Sequence, residues 1–287
     1  MRNLAKSIFI STLPVYGLVA GIYALNQVLG QFSLPWLGAA LGALTIGVFF
    51  MVVLALRPVA RTKANAPELT SVIVVSSVFT VITSFSAPPL SITAIVLALV
   101  NSGAWLAYVF WYSKFGNRSD NEFLQVGQQL PSFELENEKG EKINSQDYQG
   151  SATLWMFYRG NWCPLCMAQI REISNQYQEL AKRGVKVALI SPQPHGHTRQ
   201  LSQKMKVPFD FLVDVKNKVA QQLNILAENG LPKGMEVLGY DSDTVMPTVI
   251  MTNAQGKIIF ADLTDNYRVR PEPATFLKVL DEQTTLV

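Results

Sequence analysis

Charged residues are nearly absent from the first 112 positions of this 287-residue chain. No Asp, Glu, Lys or Arg stands between Lys6 and Arg57, and none stands between Glu68 and Lys114. Hydrophobic residues make up 49% of the sequence and charged residues only 16%, which is too apolar for an average soluble protein. This composition excludes a disordered chain and a wholly soluble enzyme.

Cysteine and histidine are also scarce, with two of each. Two cysteines are too few for a disulfide-stapled secreted miniprotein. The chain has a net charge of +3. Residues 1–112 contribute +4, from five basic residues and one acidic residue, and the remaining residues contribute −1. A nucleic-acid-binding protein would instead cluster its basic residues on a soluble face, so no nucleic acid is expected as a partner.

The two uncharged blocks predict four transmembrane helices within residues 1–116. Each helix has about the 20 residues that cross a hydrocarbon core, and the second block divides at Ala87-Pro88-Pro89, where prolines stop a helix. The absence of ionisable residues inside the spans argues against a pump and favours a membrane anchor. An alternative is that the first span is a signal peptide with Arg2 and Lys6 before it. The predicted spans are 7–29, 34–56, 70–86 and 90–112.

Loop charges predict the orientation of these spans, because short loops rich in Lys and Arg stay in the cytoplasm. The loops near residues 30–34 and 87–90 hold no basic residue. The opposite flanks hold seven, namely Arg2, Lys6, Arg57, Arg61, Lys63, Lys114 and Arg118. We therefore expect an integral protein of a bacterial inner membrane, with both termini and residues 117–287 in the cytoplasm.

Residues 117–287 have the pattern of a soluble α/β domain. An alternating segment over 133–143 predicts a hairpin, and the apolar run 152–158 predicts a strand buried on both faces. A helix of about twenty residues is expected from Pro164, then a strand over 185–190, two shorter helices and a loop-rich stretch around 229–246. A second hairpin over 248–260 and a helix over 273–282 close the chain. This order is the plan of the thioredoxin fold, so we predict a helical membrane bundle followed by a thioredoxin-like domain.

Both cysteines lie in Trp162-Cys163-Pro164-Leu165-Cys166, between the buried strand and the long helix. Cys163 is at the helix N-terminus, where free N–H groups and the helix dipole favour a thiolate, and Pro164 suits the first helical position. Cys166 follows one turn later, within disulfide reach. We therefore predict Cys163 as the attacking thiolate, Cys166 as the resolving thiol and Trp162 as a shield on one side.

Two structural alternatives exist for this pair. Half of a zinc site would need two more ligands, and His195 and His197 do not offer the usual spacing. A purely structural disulfide would constrain little, because it closes so short a loop. We favour a redox dithiol with no metal and no cofactor. Pro247, in Val245-Met-Pro-Thr248 before a strand, stands where thioredoxin-like proteins place a cis-proline facing the dithiol.

Four motifs stand out, at residues 157–166, 190–193, 247–250 and 265–273. They resemble the peroxiredoxin-like branch of the alkyl hydroperoxide reductase/thiol-specific antioxidant (AhpC/TSA) family. The resemblance covers about residues 127–281 and implies a thioredoxin-like fold with antioxidant or thiol–disulfide oxidoreductase activity. Typical peroxiredoxins carry Thr or Ser three residues before the peroxidatic cysteine and a Pro earlier, whereas this chain has Gly160 and Met156 there.

Three further groups of polar residues have open roles. For Arg159 there are two alternatives. In the first it polarises a peroxide or stabilises the thiolate, and in the second it forms a surface salt bridge. For Arg268 and Arg270 we expect a structural role with Glu272. The two histidines are expected to be loop residues.

The leading hypothesis is a membrane-anchored thiol–disulfide oxidoreductase that cycles Cys163 and Cys166 between dithiol and disulfide. Its expected partners are the lipid bilayer, a thiol electron donor such as a thioredoxin-like protein, and a protein disulfide or hydroperoxide as substrate. One alternative is a true thiol peroxidase, in which Cys166 resolves a sulfenic acid on Cys163. Another is a membrane redox sensor, in which the dithiol switches the helical bundle.

Overall fold

The computed structural model describes residues 2–86, 89–116, 118 and 121–285. Its first part consists of the apolar helices α1 (Arg2–Gly30), α2 (Leu34–Phe50), α3 (Pro67–Ser86) and α4 (Ile92–Ala107). Two of them continue in π-helical geometry, α2 over Met51–Leu56 and α4 over Tyr108–Tyr112. The helix ends agree with the predicted spans to within a few residues.

Three segments in the described part of the chain are long and apolar enough to cross a membrane: Asn3–Gly30, Pro67–Ser86 and Ile92–Tyr112. The regular part of α2 has 17 residues, which is shorter than the ~20 that a span needs, and only its π-helical continuation reaches the predicted end at Leu56. The predicted break at Ala87-Pro88-Pro89 falls partly on residues 87 and 88, outside the described residues.

Small and polar side chains join the helices of the bundle. A Cβ atom added at Gly42 would lie 3.0 Å from Ser76 Oγ and 3.2 Å from Asn101 Nδ2, so α2 approaches α3 and α4 closely there. The Asn101 amide donates a hydrogen bond to the Ala39 carbonyl (3.1 Å) and accepts one from the Tyr16 hydroxyl (2.6 Å). The polar groups of Tyr16 and Asn101 thus find partners on neighbouring helices.

The second part is an α/β domain around a seven-stranded sheet with the order β2-β1-β5-β4-β3-β8-β9. Strands β6 and β7 form a separate two-stranded sheet. The strands are β1 (Glu134–Asn137), β2 (Lys142–Asn144), β3 (Thr153–Phe157), β4 (Lys186–Ser191), β5 (Asp210–Val213), β6 (Leu226–Ala227), β7 (Thr244–Val245), β8 (Thr248–Thr252) and β9 (Ile258–Ala261). The helices are α5 (Pro164–Asn175), α6 (Tyr177–Lys182), α7 (His195–Met205), α8 (Lys218–Gln222) and α9 (Pro273–Thr285).

Strand β3 lies inside the sheet, parallel to β4 and antiparallel to β8. All five of its residues are buried, as the continuous apolar run predicts. The path β3–α5–β4, followed by the hairpin β8–β9 and helix α9, confirms the predicted thioredoxin-like plan.

Two details differ from the sequence prediction. The helix that begins at Pro164 is two helices rather than one, because Gln176 leaves helical geometry (φ −96°, ψ 9°) between α5 and α6. Strand β5 was not predicted, because its four residues form only a short apolar run between two helices. It nevertheless pairs with β4 and β1 inside the sheet.

The α/β domain packs against one end of the helical bundle. The backbone N–H of Lys233 donates to the carbonyl of Ser7, near the start of α1 (3.3 Å). The N–H of Thr62 donates to Arg268 O (2.9 Å), and the N–H of Tyr267 donates to Ser113 O (3.0 Å). Residues 266–271 therefore pair with the segments that follow both π-helical turns.

Candidate active site

The two cysteines occupy the first turn of α5, just beyond the buried end of β3. Cys163 is the N-cap of the helix in extended geometry, and its Sγ accepts a hydrogen bond from the N–H of Cys166 (3.3 Å). Pro164 takes the first helical position, as predicted. The two sulfurs form a disulfide, with 5.3 Å between the Cα atoms. The sulfur of Cys163 thus occupies a place where backbone N–H groups favour negative charge.

Both cysteines are buried beneath apolar side chains. Cys163 is 3% exposed and Cys166 is not exposed at all. They belong to a cluster that includes Leu165 and Ile170 of α5, and Trp162 packs against this cluster. The shielding role predicted for Trp162 agrees with its contact, although its effect on reactivity stays a prediction.

Arg270 places a charged group directly beside the disulfide. Its Nη2 lies 3.6 Å from Cys166 Sγ and 3.9 Å from Cys163 Sγ, while its Nη1 donates to Gln169 Oε1 (3.1 Å). Its Nε donates to the Tyr267 carbonyl (2.9 Å), which holds the guanidinium in place. Burial, and after it the charge of Arg159, lower the pKa of Arg270 to about 9. Arg270 remains a cation at neutral pH and faces both sulfurs.

This position corrects the expected pairing of Arg268 and Arg270 with Glu272. Glu272 Oε1 lies 3.9 Å from an Nη of Arg61 instead. Arg268 is fully buried and donates to the Ser113 and Thr62 hydroxyls (both 2.8 Å). Arg268 therefore joins the domain to the helical half, whereas Arg270 faces the two cysteine sulfurs.

Arg159 lies in the loop between β3 and α5 and does not form the surface salt bridge considered as an alternative. It is only 9% exposed, and it forms no ion pair within the part of the chain that the structure describes. Its guanidinium carbon lies 4.7 Å from the ring centroid of Trp162, and its Nη2 donates to the Gly230 carbonyl. Arg159 therefore packs against the residue that precedes Cys163.

The backbone conformation and surroundings of Gly160 explain why this chain lacks the Thr or Ser that typical peroxiredoxins have at this position. Its φ of +144° is rarely adopted by residues with side chains, and an added Cβ would lie 2.8 Å from Trp162 Nε1. The indole ring occupies the space that a Thr or Ser side chain at this position would need. The absence of a hydroxyl at position 160 thus follows from the packing of Trp162.

Pro247 is buried and lies between β7 and β8. Its neighbour Thr248 pairs with Phe157 at the end of β3 from which the dithiol loop departs. Pro247 thus directly precedes a strand, as predicted, at the end of the sheet where the loop to the cysteines begins. Its cis peptide bond and its contact with the sulfurs stay predictions.

Gln193 is a site residue that the sequence reasoning did not single out. Its Oε1 accepts a hydrogen bond from the N–H of Asn161 (2.8 Å), and its Nε2 donates to the Tyr158 hydroxyl (3.1 Å). It therefore fixes the loop that leads to Cys163. The sequence holds a signal for this residue, because Gln193 ends one of the motifs that carry the family resemblance.

The two histidines begin helix α7 rather than lying in a loop. His195 Nε2 lies 2.8 Å from Glu136 Oε2, and His197 stacks on Tyr240. Among the residues that the structure describes, no three His, Cys, Asp or Glu side chains come together as a metal site.

Comparisons with known proteins agree with this geometry. Residues 126–261 match the model of the AhpC/TSA family. The chain is 29% identical over 147 residues to peroxiredoxin Bcp of Escherichia coli K12, covering 50% of this chain and 90% of that protein. It is 23% identical over 165 residues to the thiol-disulfide oxidoreductase ResA of Halalkalibacterium halodurans, covering 57% of this chain and 80% of the relative.

Among solved structures, AhpC of Enterococcus faecalis aligns with a TM-score of 0.47 at 14% identity, covering 57% of this chain and 94% of that one. The fold assignment rests on the strand order of the chain itself. The matched relatives support an oxidoreductase activity. The predicted resemblance of the C-terminal half to the AhpC/TSA family is thereby confirmed.

Proposed function

We propose that this protein is a membrane-anchored thiol–disulfide oxidoreductase of peroxiredoxin-like type. The observation that carries the proposal is the Cys163–Cys166 disulfide at the start of α5, with the Arg270 guanidinium 3.6 and 3.9 Å from its sulfurs. A cation and the N–H groups of a helix start both favour a thiolate over a thiol. The reduced pair is therefore suited to nucleophilic attack.

In the proposed cycle, the Cys163 thiolate attacks one sulfur of a substrate disulfide and expels the other as a thiolate. Cys166 loses its proton and attacks Cys163 Sγ, which releases the second substrate thiolate and leaves the Cys163–Cys166 disulfide. An external thiol donor, such as a thioredoxin-like protein, returns both electrons and restores the dithiol. No metal or further cofactor enters this cycle.

Trp162, Pro247 and Arg159 are proposed as supporting residues. Trp162 and Arg159 pack on each other beside the loop to Cys163 and would shape its approach. Pro247 would shape the facing wall, where a substrate segment docks.

A second candidate is a thiol peroxidase, which the buried Arg270 cation favours. The Cys163 thiolate would attack the distal oxygen of a hydroperoxide, the O–O bond would break, and the alkoxide would take a proton to leave as an alcohol. Cys166 would then attack the resulting sulfenic acid, releasing water and closing the disulfide. Arg270 would stabilise the negative charge that develops on the peroxide oxygens.

A third candidate is a redox sensor, which the contact between Tyr267 and Tyr108 favours. The two hydroxyls lie 2.8 Å apart, and the Tyr267 carbonyl accepts the Nε bond of Arg270. A change of charge at the sulfurs would reach the helical bundle through these two tyrosines.

One experiment separates the three candidates. The purified protein is assayed side by side for hydroperoxide consumption and for reduction of insulin disulfides, each with a regenerating thiol donor and a Cys163→Ser control. Sustained insulin reduction supports the leading proposal, and sustained peroxide consumption alone supports the peroxidase. A single stoichiometric oxidation without turnover supports the sensor and contradicts both enzymes.

The helical half is proposed as a four-span anchor, in which the π-helical end of α2 completes the second span. The α/β domain packs on the end of the bundle that carries the basic flanks, which supports a cytoplasmic domain under the positive-inside rule. In a reducing compartment the pair would be held mainly as a dithiol.

A further inference from the structure

A small cavity lies where the helical bundle meets the α/β domain, apart from the disulfide. It has a volume of about 60 Å³ and is lined by Lys6 and Ser7 of α1, Lys114 after α4, and Arg159 and Tyr267 of the domain, among others. Three of the described residues that line it are cations and none is an acid. The cavity therefore has the charge of an anion site.

Arg159 gives this cavity a polar group that protein atoms leave unsatisfied. Its side chain is 9% exposed, and its Nε is buried with no hydrogen-bond partner within the described chain. One face of the guanidinium stacks on Trp162, and Nη2 donates a hydrogen bond to the Gly230 carbonyl. A buried cation with a free donor and no ion pair is costly, and an anion placed beside it would remove that cost.

The two lysines reach the cavity from the membrane half. The Lys6 ammonium donates to the Lys114 carbonyl and lies 5.8 Å from the ring centroid of Trp111, so its charge is held at the junction. Lys114 forms no ion pair within the described residues. Cations from three separate elements thus converge on one space.

The location and size of the cavity indicate the kind of anion. It adjoins the ends of α1 and α4, which are long and apolar enough to cross a membrane. Leu4 and Ile8 are 43% and 48% exposed on the neighbouring face of α1. A space of 60 Å³ holds about two water molecules, so it accepts a few oxygens of a headgroup but no acyl chain.

We propose that this cavity binds the anionic phosphate headgroup of a membrane lipid. The phosphate oxygens would lie among Lys6, Lys114 and Arg159, and the acyl chains would remain outside, along Leu4 and Ile8. Phosphate oxygens match the donors of Arg and Lys, and basic pockets beside membrane helices bind acidic headgroups. The bound lipid would join the two halves of the protein.

Native mass spectrometry of the delipidated full-length protein in detergent tests this proposal. We expect phosphatidylglycerol to bind at one site at least tenfold more tightly than phosphatidylcholine. Arg159→Gln and Lys114→Gln should each weaken that binding about tenfold, and Arg159→Lys should retain part of it. Arg57→Gln is the matched control, because Arg57 is exposed on the same side of the bundle, outside the cavity, and its loss should leave binding unchanged.

Three results would overturn the proposal. One is equal affinity for the anionic and the zwitterionic lipid, and another is equal loss of binding in Arg57→Gln and Lys114→Gln. The third is inorganic phosphate binding as tightly as phosphatidylglycerol, which would identify a site for a free anion instead of a lipid. Lys114 is exposed, so its variant is expected to fold, and the melting temperature of each variant checks this.

Discussion

The Nε atom of Arg61 donates a hydrogen bond to the carbonyl of Arg270 at 3.1 Å. Arg61 belongs to the segment after the second helix of the bundle, and Arg270 faces both sulfurs of the disulfide. Arg61 also pairs with Glu172 of α5, the helix that carries the cysteines. One side chain of the helical half thus touches both elements that form the dithiol site.

Removing the contacts of Arg61 should lower the reactivity of the Cys163/Cys166 dithiol without abolishing it. In Arg61→Gln the segment with Arg270 loses an anchor, so the thiolate should be less stabilised, and thiol alkylation at pH 7 should slow by about threefold. Arg57→Gln, four residues earlier and exposed, is the control with the same change of charge. Equal rates in both variants and the wild type would show that Arg61 serves only to attach the domain.

Replacing Arg270 itself should have a larger effect on the same measurement. Loss of the adjacent cation should raise the pKa of the reactive thiol by about one unit, which corresponds to about 1.4 kcal/mol. Iodoacetamide alkylation of the reduced Arg270→Gln protein at pH 7 should therefore be about tenfold slower. Arg270→Lys should recover part of the rate, and an unchanged rate in Arg270→Gln would remove Arg270 from the proposed mechanism.

The pKa of Arg270 also predicts a pH dependence of stability in the oxidised protein. Burial holds the folded-state pKa at about 9, whereas the unfolded chain has the ordinary, much higher value. Above pH 9 the unfolded state therefore binds more protons than the folded state, and stability from this group rises with pH. The melting temperature of the wild type minus that of Arg270→Gln should be larger at pH 10.5 than at pH 8. A constant difference would contradict the lowered pKa.

The roles of the two cysteines can be distinguished by alkylation against pH. With its Sγ at the helix N-cap, Cys163 should titrate below the ~8.5 of a free cysteine. Cys163→Ser should abolish activity, whereas Cys166→Ser should trap a mixed disulfide or a sulfenic acid. If Cys163→Ser keeps rapid alkylation at low pH and Cys166→Ser loses it, the two roles are reversed.

Introducing a hydroxyl at position 160 should lower the stability of the fold and should not increase peroxide turnover. Gly160→Ser places a side chain at φ +144° and against the indole of Trp162, so we expect a destabilisation of about 1–3 kcal/mol. Gly196→Ser is the control, because Gly196 has open space around it and no positive φ. The measurement is the free energy of unfolding together with peroxide turnover. A stable Gly160→Ser protein with higher peroxide turnover would refute this interpretation.

The orientation of the protein is testable with a reporter fused after Val287. The basic flanks predict a cytoplasmic C-terminus, so a fluorescent protein that folds only in the cytoplasm should be bright and alkaline phosphatase should be inactive. Fusions after Gly30 should give the opposite result. Active phosphatase after Val287 would place the redox domain outside. With active phosphatase also after Gly30 it would mean an odd number of spans, and with a bright fluorescent protein after Gly30 it would mean that the whole bundle is inverted.

The motif around the cysteines was predictable because its geometry is local. A buried strand, Pro164 and one helical turn bring Cys163 and Cys166 together whatever the remaining chain does. Arg270 lies 104 positions from Cys166, and only the packing of residues 266–271 between the bundle and α5 brings it to the sulfurs. Strand β5 was missed for a related reason, since its four residues become a strand through the neighbours β4 and β1.

The burial of both sulfurs has a kinetic consequence for the return of electrons. A macromolecular donor must touch a sulfur atom to exchange disulfides, and in this arrangement Cys163 is 3% exposed and Cys166 is covered. Reduction by a protein dithiol therefore has to wait for a transient opening of the first turn of α5 or of the segment that holds Arg270. The rate of reduction should level off as the donor concentration rises, at a ceiling equal to the frequency of that opening.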